Sequence, residues 1–214
     1  MTTHDLLRGV LDETGAPAPA IEAAVARLVA AYAEPHRHYH NLAHIAALLR
    51  LLKSDGQSLR EPWQVQLAVL YHDAVYDPRA SNNEACSAAL ASEQLEGLGV
   101  AAGVIGRVVF LIDMTRHGAT HPEAGDTDLI RFLDFDLSVL GAAPAVYDAY
   151  ANAIRREYAH VADADYRRGR SRILSMFLGQ PAIFRSPDLR ARWEESARGN
   201  LMMELARLDA GTPE

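Results

Sequence analysis

The stretch Gln64–Asp77, QVQLAVLYHDAVYD, decides how this chain is read. From Leu67 to Val75 every position is apolar except His72 and Asp73. An amphipathic surface helix would show a polar face, and a half-buried strand would alternate. This run does neither, so it reads as a helix buried on all sides with an imidazole and a carboxylate carried inside. A buried unpaired charge costs several kcal/mol, roughly, so that pair needs partners elsewhere in the chain.

Outward from this stretch the spacing stays helical. Helices are predicted at roughly 19–33, 40–54, 61–76, 82–98, 101–116, 126–140, 144–160, 164–178 and 187–208. Gly56, Gly97, Gly99, Gly118 and Gly141 follow apolar-periodic runs, as C-terminal stops do. Pro35, Pro62, Pro78 and Pro144 stand at starts or just past ends, and Ser186-Pro187 reads as an N-cap with proline in the first turn. No repeat, low-complexity tract or linker interrupts the pattern. The expected class is all-α.

Composition narrows the function. The 214 residues are 49% apolar and 23% charged, ordinary values for a globular domain with a sizeable core. A net charge of −7 disfavours a nucleic-acid polymer as partner. One cysteine, Cys86, excludes an intramolecular disulfide and a cysteine-rich zinc site; it reads as small core filler and suits a reducing compartment. The opening MTTHDLLRGV has no apolar signal region, and no apolar run approaches membrane-spanning length, so the expected location is cytoplasmic.

Two further stretches supply partners for His72-Asp73. In TDLIRFLDFDLSVL, residues 127–140, Leu129, Leu133, Leu137 and Leu140 share an arc at about 100° per residue, and Asp136 falls inside it. Asp134 points about 200° away from Asp136, towards the polar side. In RHYHNLAHI, residues 37–45, His40 and His44 share a face, and His44 lies in the arc of Ala47, Leu48 and Leu51. Each of these could be a satisfied core residue, and Asp136 could instead cap a helix or pair with an arginine. Taken together, His44, His72, Asp73 and Asp136 are four potential ligands on apolar faces of three helices. One cation would neutralise both carboxylates and satisfy both imidazoles, as helical bundles do with inward side chains on facing helices. Mixed nitrogen and oxygen donors favour Mn, Fe, Co, Ni or Zn over Mg.

The order H…HD…D resembles the HD-domain metal-dependent phosphohydrolase superfamily. The longer pattern is similar to a bacterial branch of it: Arg37–Ile45, His72–Asp77, Asn83-Glu84, Thr115-Arg116-His117, Leu133–Gly141, and Glu157-Tyr158 through Gly169-Arg170. The resemblance implies one HD-type helical bundle over 1–214. Its metal-site core would lie at about 32–141, with C-terminal helices at about 144–208 completing the fold. It implies His44, His72, Asp73 and Asp136 as ligands to a divalent transition ion, with Asp73 also catalytic and a second ion left open. The YHNxxH element is also similar to cyclic-nucleotide phosphodiesterases. That likeness implies His40 as general acid and His44 as ligand. Extra histidines between HD and the last Asp bind a second ion in some superfamily members. This makes His117, and less strongly His121, candidates for metal or substrate; a last-turn helix cap is the alternative for His117. Guanosine tetraphosphate hydrolases of the superfamily carry a Glu-Asp pair where this chain has Tyr76-Asp77, a departure that weighs against that activity.

Other candidates carry plainer readings beside the functional ones. Ser81-Asn82-Asn83-Glu84 has the form of a capping box, which would occupy Glu84 structurally. The arginines between 155 and 172 could be a solvated face, yet arginine's planar fork suits phosphate. Arg37 is the first choice for a phosphate contact and Arg170 the second. The expected function is hydrolysis of a small phosphorylated substrate, a nucleotide or other metabolite, by a metal-activated water with His40 protonating the leaving oxygen. The alternatives are a di-iron oxygenase of the same superfamily, which would need His117 as a ligand, and a non-catalytic metal- or nucleotide-binding regulator. A homodimer is left open.

Overall fold

In the computed structural model of the chain, residues 2–116 and 125–210 are described. Among them every regular element is helical: α1 (Thr3–Asp12), α2 (Ala18–Tyr32), α3 (Leu42–Asp55), α4 (Pro62–Tyr71), α5 (Asn83–Gly97), α6 (Ala102–Asp113), α7 (Thr127–Asp136), α8 (Pro144–Glu157), α9 (Asp163–Leu178) and α10 (Pro187–Ala210). The chain divides into two compact units, Met1–Leu133 and Asp134–Glu214. No linker marks the boundary, because α7 runs across it as one continuous helix.

In the first unit α4 is the central element. Val65 and the whole run Leu67–Tyr71 are buried, as an all-apolar helix requires. Its neighbours are α1, α3, α5 and α6. The backbone just ahead of it is held from a distance: the Asp128 carboxylate accepts from the N–H groups of Arg60 and Glu61 at 2.9 and 2.8 Å. Asp126 caps α7 by accepting from Leu129 N–H and is held by a bidentate pair with Arg107. Helix α1 was not expected from the sequence. A capping box of Thr2 and Asp5 starts it, and Leu7, Val10 and Leu11 bury the face it turns inward.

In the second unit a 3-10 turn, Leu137–Gly141, packs against α8 and α10. The expected helix 126–140 therefore changes character after Asp136. Pro144 bars any α-helical continuation past it, since it has no N–H to offer the Leu140 carbonyl. The Asn200 side-chain amide donates to that carbonyl instead, and to the one of Ala142. Gly141 is less a stop signal than a close approach. A Cβ there would lie 2.5 Å from the Trp193 Cβ and 3.0 Å from its carbonyl oxygen. Farther along, Arg170, Glu204 and Tyr147 form a buried network.

No helix among the described residues is long and apolar enough to cross a membrane.

Candidate metal centre

The site begins with two local departures from helix. Asn41 caps α3 by accepting from Ala43 N–H, and its amide donates to the His38 carbonyl. This fixes the start of α3 and puts His44 in its first turn, buried. At the other departure, α4 stops at Tyr71 rather than continuing to 76 as the sequence suggested. His72 is its C-cap, and Asp73 lies in the turn that follows. Neither glycine nor proline ends the helix here. Side chains from elsewhere take the backbone groups of the turn. Arg37 donates to the carbonyls of Asp73 and Ala74, and buried Ser87 bonds both the N–H and the carbonyl of Val75.

His72 is oriented by its own helix. Its Nδ1 lies 3.0 Å from the Val69 carbonyl, so Nδ1 carries the hydrogen and Nε2 presents a lone pair. That Nε2 lies 3.4 Å from His44 Nε2 and 3.1 Å from Asp73 Oδ2. Asp73 Oδ2 is also 3.8 Å from His44 Nε2. A nitrogen lone pair facing a carboxylate oxygen at this distance is repulsive unless positive charge sits between them. A proton shared between the two groups, or a cation, supplies it. The donor set suits the cation. His44, His72 and Asp136, the last residue of α7, each offer a ligand atom, and these atoms lie within 4.8 Å of one another. A possible His/Asp metal site is therefore present. A backbone carbonyl behind a ligating imidazole is the usual outer-shell support for such a site. Asp73 stands beside both imidazoles but outside this group of three.

The helical wheel chose Asp136 over Asp134, and Asp136 is the carboxylate in the group. The wheel's polar side is not open to solvent at Asp134, however. It is buried, not on a polar surface. Its carboxylate accepts from Arg185 N–H at 2.9 Å and Ser186 N–H at 2.7 Å, at the entry to α10. Burial pushes its carboxyl above the ordinary value, against the pull of those donors. The arc itself also shifts: Leu129, Phe132 and Phe135 are the buried apolar residues of α7, while Leu133 is half-buried.

His40 lies just ahead of the Asn41 cap. Its ring is 6.3 Å from that of His44 and 4.3 Å from that of Tyr76. His36 bonds the Tyr76 carbonyl at 2.8 Å. Neither arginine suggested for phosphate presents a free fork. Arg37 has a buried side chain whose donors go to Glu34 and to the carbonyls of His40, Asp73 and Ala74. Arg170 is buried and paired in bidentate fashion with Glu204. Both would have to abandon these partners to grip a substrate. The expected capping box at Ser81–Glu84 does not form, since α5 starts at Asn83 and its cap residue Asn82 makes no side-chain cap bond. Asn83 instead pins both backbone groups of Asp77, and Asp77 caps its own turn at Arg79 N–H. Cys86 is half-buried, with the Asn82 amide donating to its sulfur. His117 and His121 lie outside the described residues.

Sequence reasoning missed Tyr32 and Ser87. The Tyr32 hydroxyl donates to the Leu70 carbonyl, and Ser87 holds Val75. Nothing local marks them, because their acceptors are 38 and 12 residues away.

No family profile, curated protein or solved structure matches the chain.

Proposed function

We propose that the chain is an HD-type, metal-dependent phosphohydrolase acting on a small phosphate ester, a nucleotide or other phosphorylated metabolite. The observation that carries this reading is the approach of His44, His72 and Asp136 ligand atoms to within 4.8 Å at a largely buried point, with Asp73 beside both imidazoles. The motif order supports the reaction class. His44, His72 and Asp136 would hold a divalent Mn, Fe, Co, Ni or Zn ion, with Asp73 as a fourth donor that would also take the proton of the attacking water. A bound ion supplies Lewis acidity, polarising a phosphoryl oxygen and making water acidic enough to attack at neutral pH. The rest falls to the chain's own groups. As the water oxygen bonds to phosphorus, its proton passes to Asp73, and the bond from phosphorus to the leaving oxygen breaks. His40 protonates that leaving oxygen. Water is consumed, an alcohol and phosphate are released, and no redox equivalent is needed.

The test is elemental analysis of purified protein, then reconstitution of chelated protein with each ion and a screen of phosphomonoesters, nucleotides and cyclic nucleotides. The expected result is bound transition metal and phosphate release with Mn or Co under strict anaerobiosis. Activity that requires O₂ would point to an oxygenase. Bound metal with no turnover in either atmosphere would point to a regulatory protein. Wild-type protein that binds no ion would overturn the site itself.

A further inference from the structure

We infer that Arg37 is a positioning residue, the brace that holds the His72-Asp73 turn open in a metal-ready shape; this rests on the metal reading above. Its side chain has no solvent exposure although it sits in a histidine-rich loop. Arginine has five N–H donors in a rigid fork. Here Nη1 reaches the His40 carbonyl at 3.1 Å and the Asp73 carbonyl at 2.6 Å, while Nη2 reaches the Ala74 carbonyl at 3.0 Å. Nε pairs with Glu34, at 2.9 Å. The guanidinium lies 5.2 and 5.5 Å from the ring centres of Tyr32 and Tyr76, within cation–π range.

One guanidinium thus joins the backbone on the proton-donor side, at His40, to the backbone on the ligand side, at Asp73 and Ala74. Asp73 and Ala74 lie past the end of α4, and their carbonyls have left the helical ladder. Without the fork those carbonyls would need other donors, and the turn could wind on towards helix. That would change the direction in which the chain past His72 leaves the helix axis, and with it the setting of the turn against His40. Tyr32 and Ser87 hold Leu70 and Val75, on either side of the same segment. Arg37 is the one side chain among these three that also reaches His40. A lysine keeps the charge but offers a single ammonium, which cannot bond three carbonyls in this flat arrangement.

The experiment compares wild type, Arg37→Lys and Glu34→Gln as full-length proteins, with Co(II) binding followed by visible absorption and backbone amide exchange followed by mass spectrometry. Arg37→Lys should bind Co(II) at least tenfold more weakly, about 1.4 kcal/mol at 25 °C. Its amides at 72–76 should exchange faster, while those of α10 stay as in wild type. Glu34→Gln, which removes only the half-exposed partner, should leave Co(II) affinity within about twofold, on the order of 0.4 kcal/mol. Wild-type Co(II) affinity in Arg37→Lys would overturn the inference. If wild type itself binds no Co(II), the metal reading fails, and the exchange rates at 72–76 still decide whether Arg37 braces the turn. Should Arg37→Lys not fold, ¹⁵N-labelled wild type supplies the answer. Arg37 side-chain N–H signals that exchange slowly and do not move on adding inorganic phosphate support a brace. Signals that exchange fast or shift with phosphate make Arg37 a substrate contact and overturn it.

Discussion

Asp134 and Asp136 stand two residues apart and should fail in opposite ways when each is changed to asparagine. Asp134 is buried and accepts two backbone N–H groups, one on each oxygen. Asparagine keeps one acceptor and turns an NH₂ towards the other N–H. A hydrogen bond to a charged group contributes about 1.5–3 kcal/mol, and a buried donor left without a partner costs about 1–3 kcal/mol. Relief of the buried negative charge offsets part of this, consistent with a carboxyl held above its ordinary value by burial. A net loss of about 2 kcal/mol follows, or about 4–8 °C in Tm for a chain of this size. Asp136 is only half-buried, so its asparagine variant should lose under about 1 kcal/mol in metal-free protein. Adding the ion reverses the ranking. At a free ion concentration one hundred times Kd, binding stabilises the folded state by about 2.7 kcal/mol, or about 5–10 °C. Wild type and Asp134→Asn should both show that rise. In Asp136→Asn, a hundredfold weaker site would retain about 0.4 kcal/mol, a rise of about 1 °C. The assay is calorimetry of chelated protein with and without Mn(II) or Co(II). Equal metal-induced rises in the two variants, or loss of the rise in Asp134→Asn alone, would refute the assignment of Asp136.

Three further outcomes are expected. His40→Ala should lower turnover roughly 10²–10⁴-fold with metal content unchanged. That loss should shrink on p-nitrophenyl phosphate, whose leaving group needs little protonation; an equal loss on poor leaving groups would argue against His40 as the acid. Gly141→Ala should destabilise the second unit by about 1–3 kcal/mol in denaturant titration, because its Cβ would meet Trp193 at 2.5 Å and a backbone oxygen at 3.0 Å; unchanged stability would mean that α10 can move aside freely. Asp126 has its carboxyl held below the ordinary value, first by the Arg107 hydrogen bond. Below pH 3.8 the unfolded chain therefore binds a proton that the folded one does not, so the contribution is full above that pH and is lost as pH falls through the folded value. Asp126→Asn should cost about 1 kcal/mol at pH 7, discounted for partial exposure of the pair, and acid unfolding curves should show a shallower loss of stability below pH 4.

Local spacing alone determined which segments are helices, because helix formation and amphipathic burial are properties of neighbours three and four residues apart. The same rule put His44, His72 and Asp136 on inward faces and preferred Asp136 to Asp134 for the ligand group. It also carries the signal for α1, a Thr2–Asp5 capping box ahead of Leu7, Val10 and Leu11. Tertiary structure decided everything that depends on a partner distant in sequence. The end of α4 at Tyr71 has no local breaker; it follows from Arg37 and Ser87 taking backbone groups 36 and 12 residues away. Asp134 sits on the polar side of its own helix and is buried because Arg185 and Ser186 cover it. Arg37 and Arg170 looked like phosphate-binding forks, since a lone sequence cannot show that a guanidinium's donors are already spent on buried carbonyls and on Glu204. A helical wheel records the direction in which a side chain leaves its own helix. What that side chain meets there depends on which other elements fold against it.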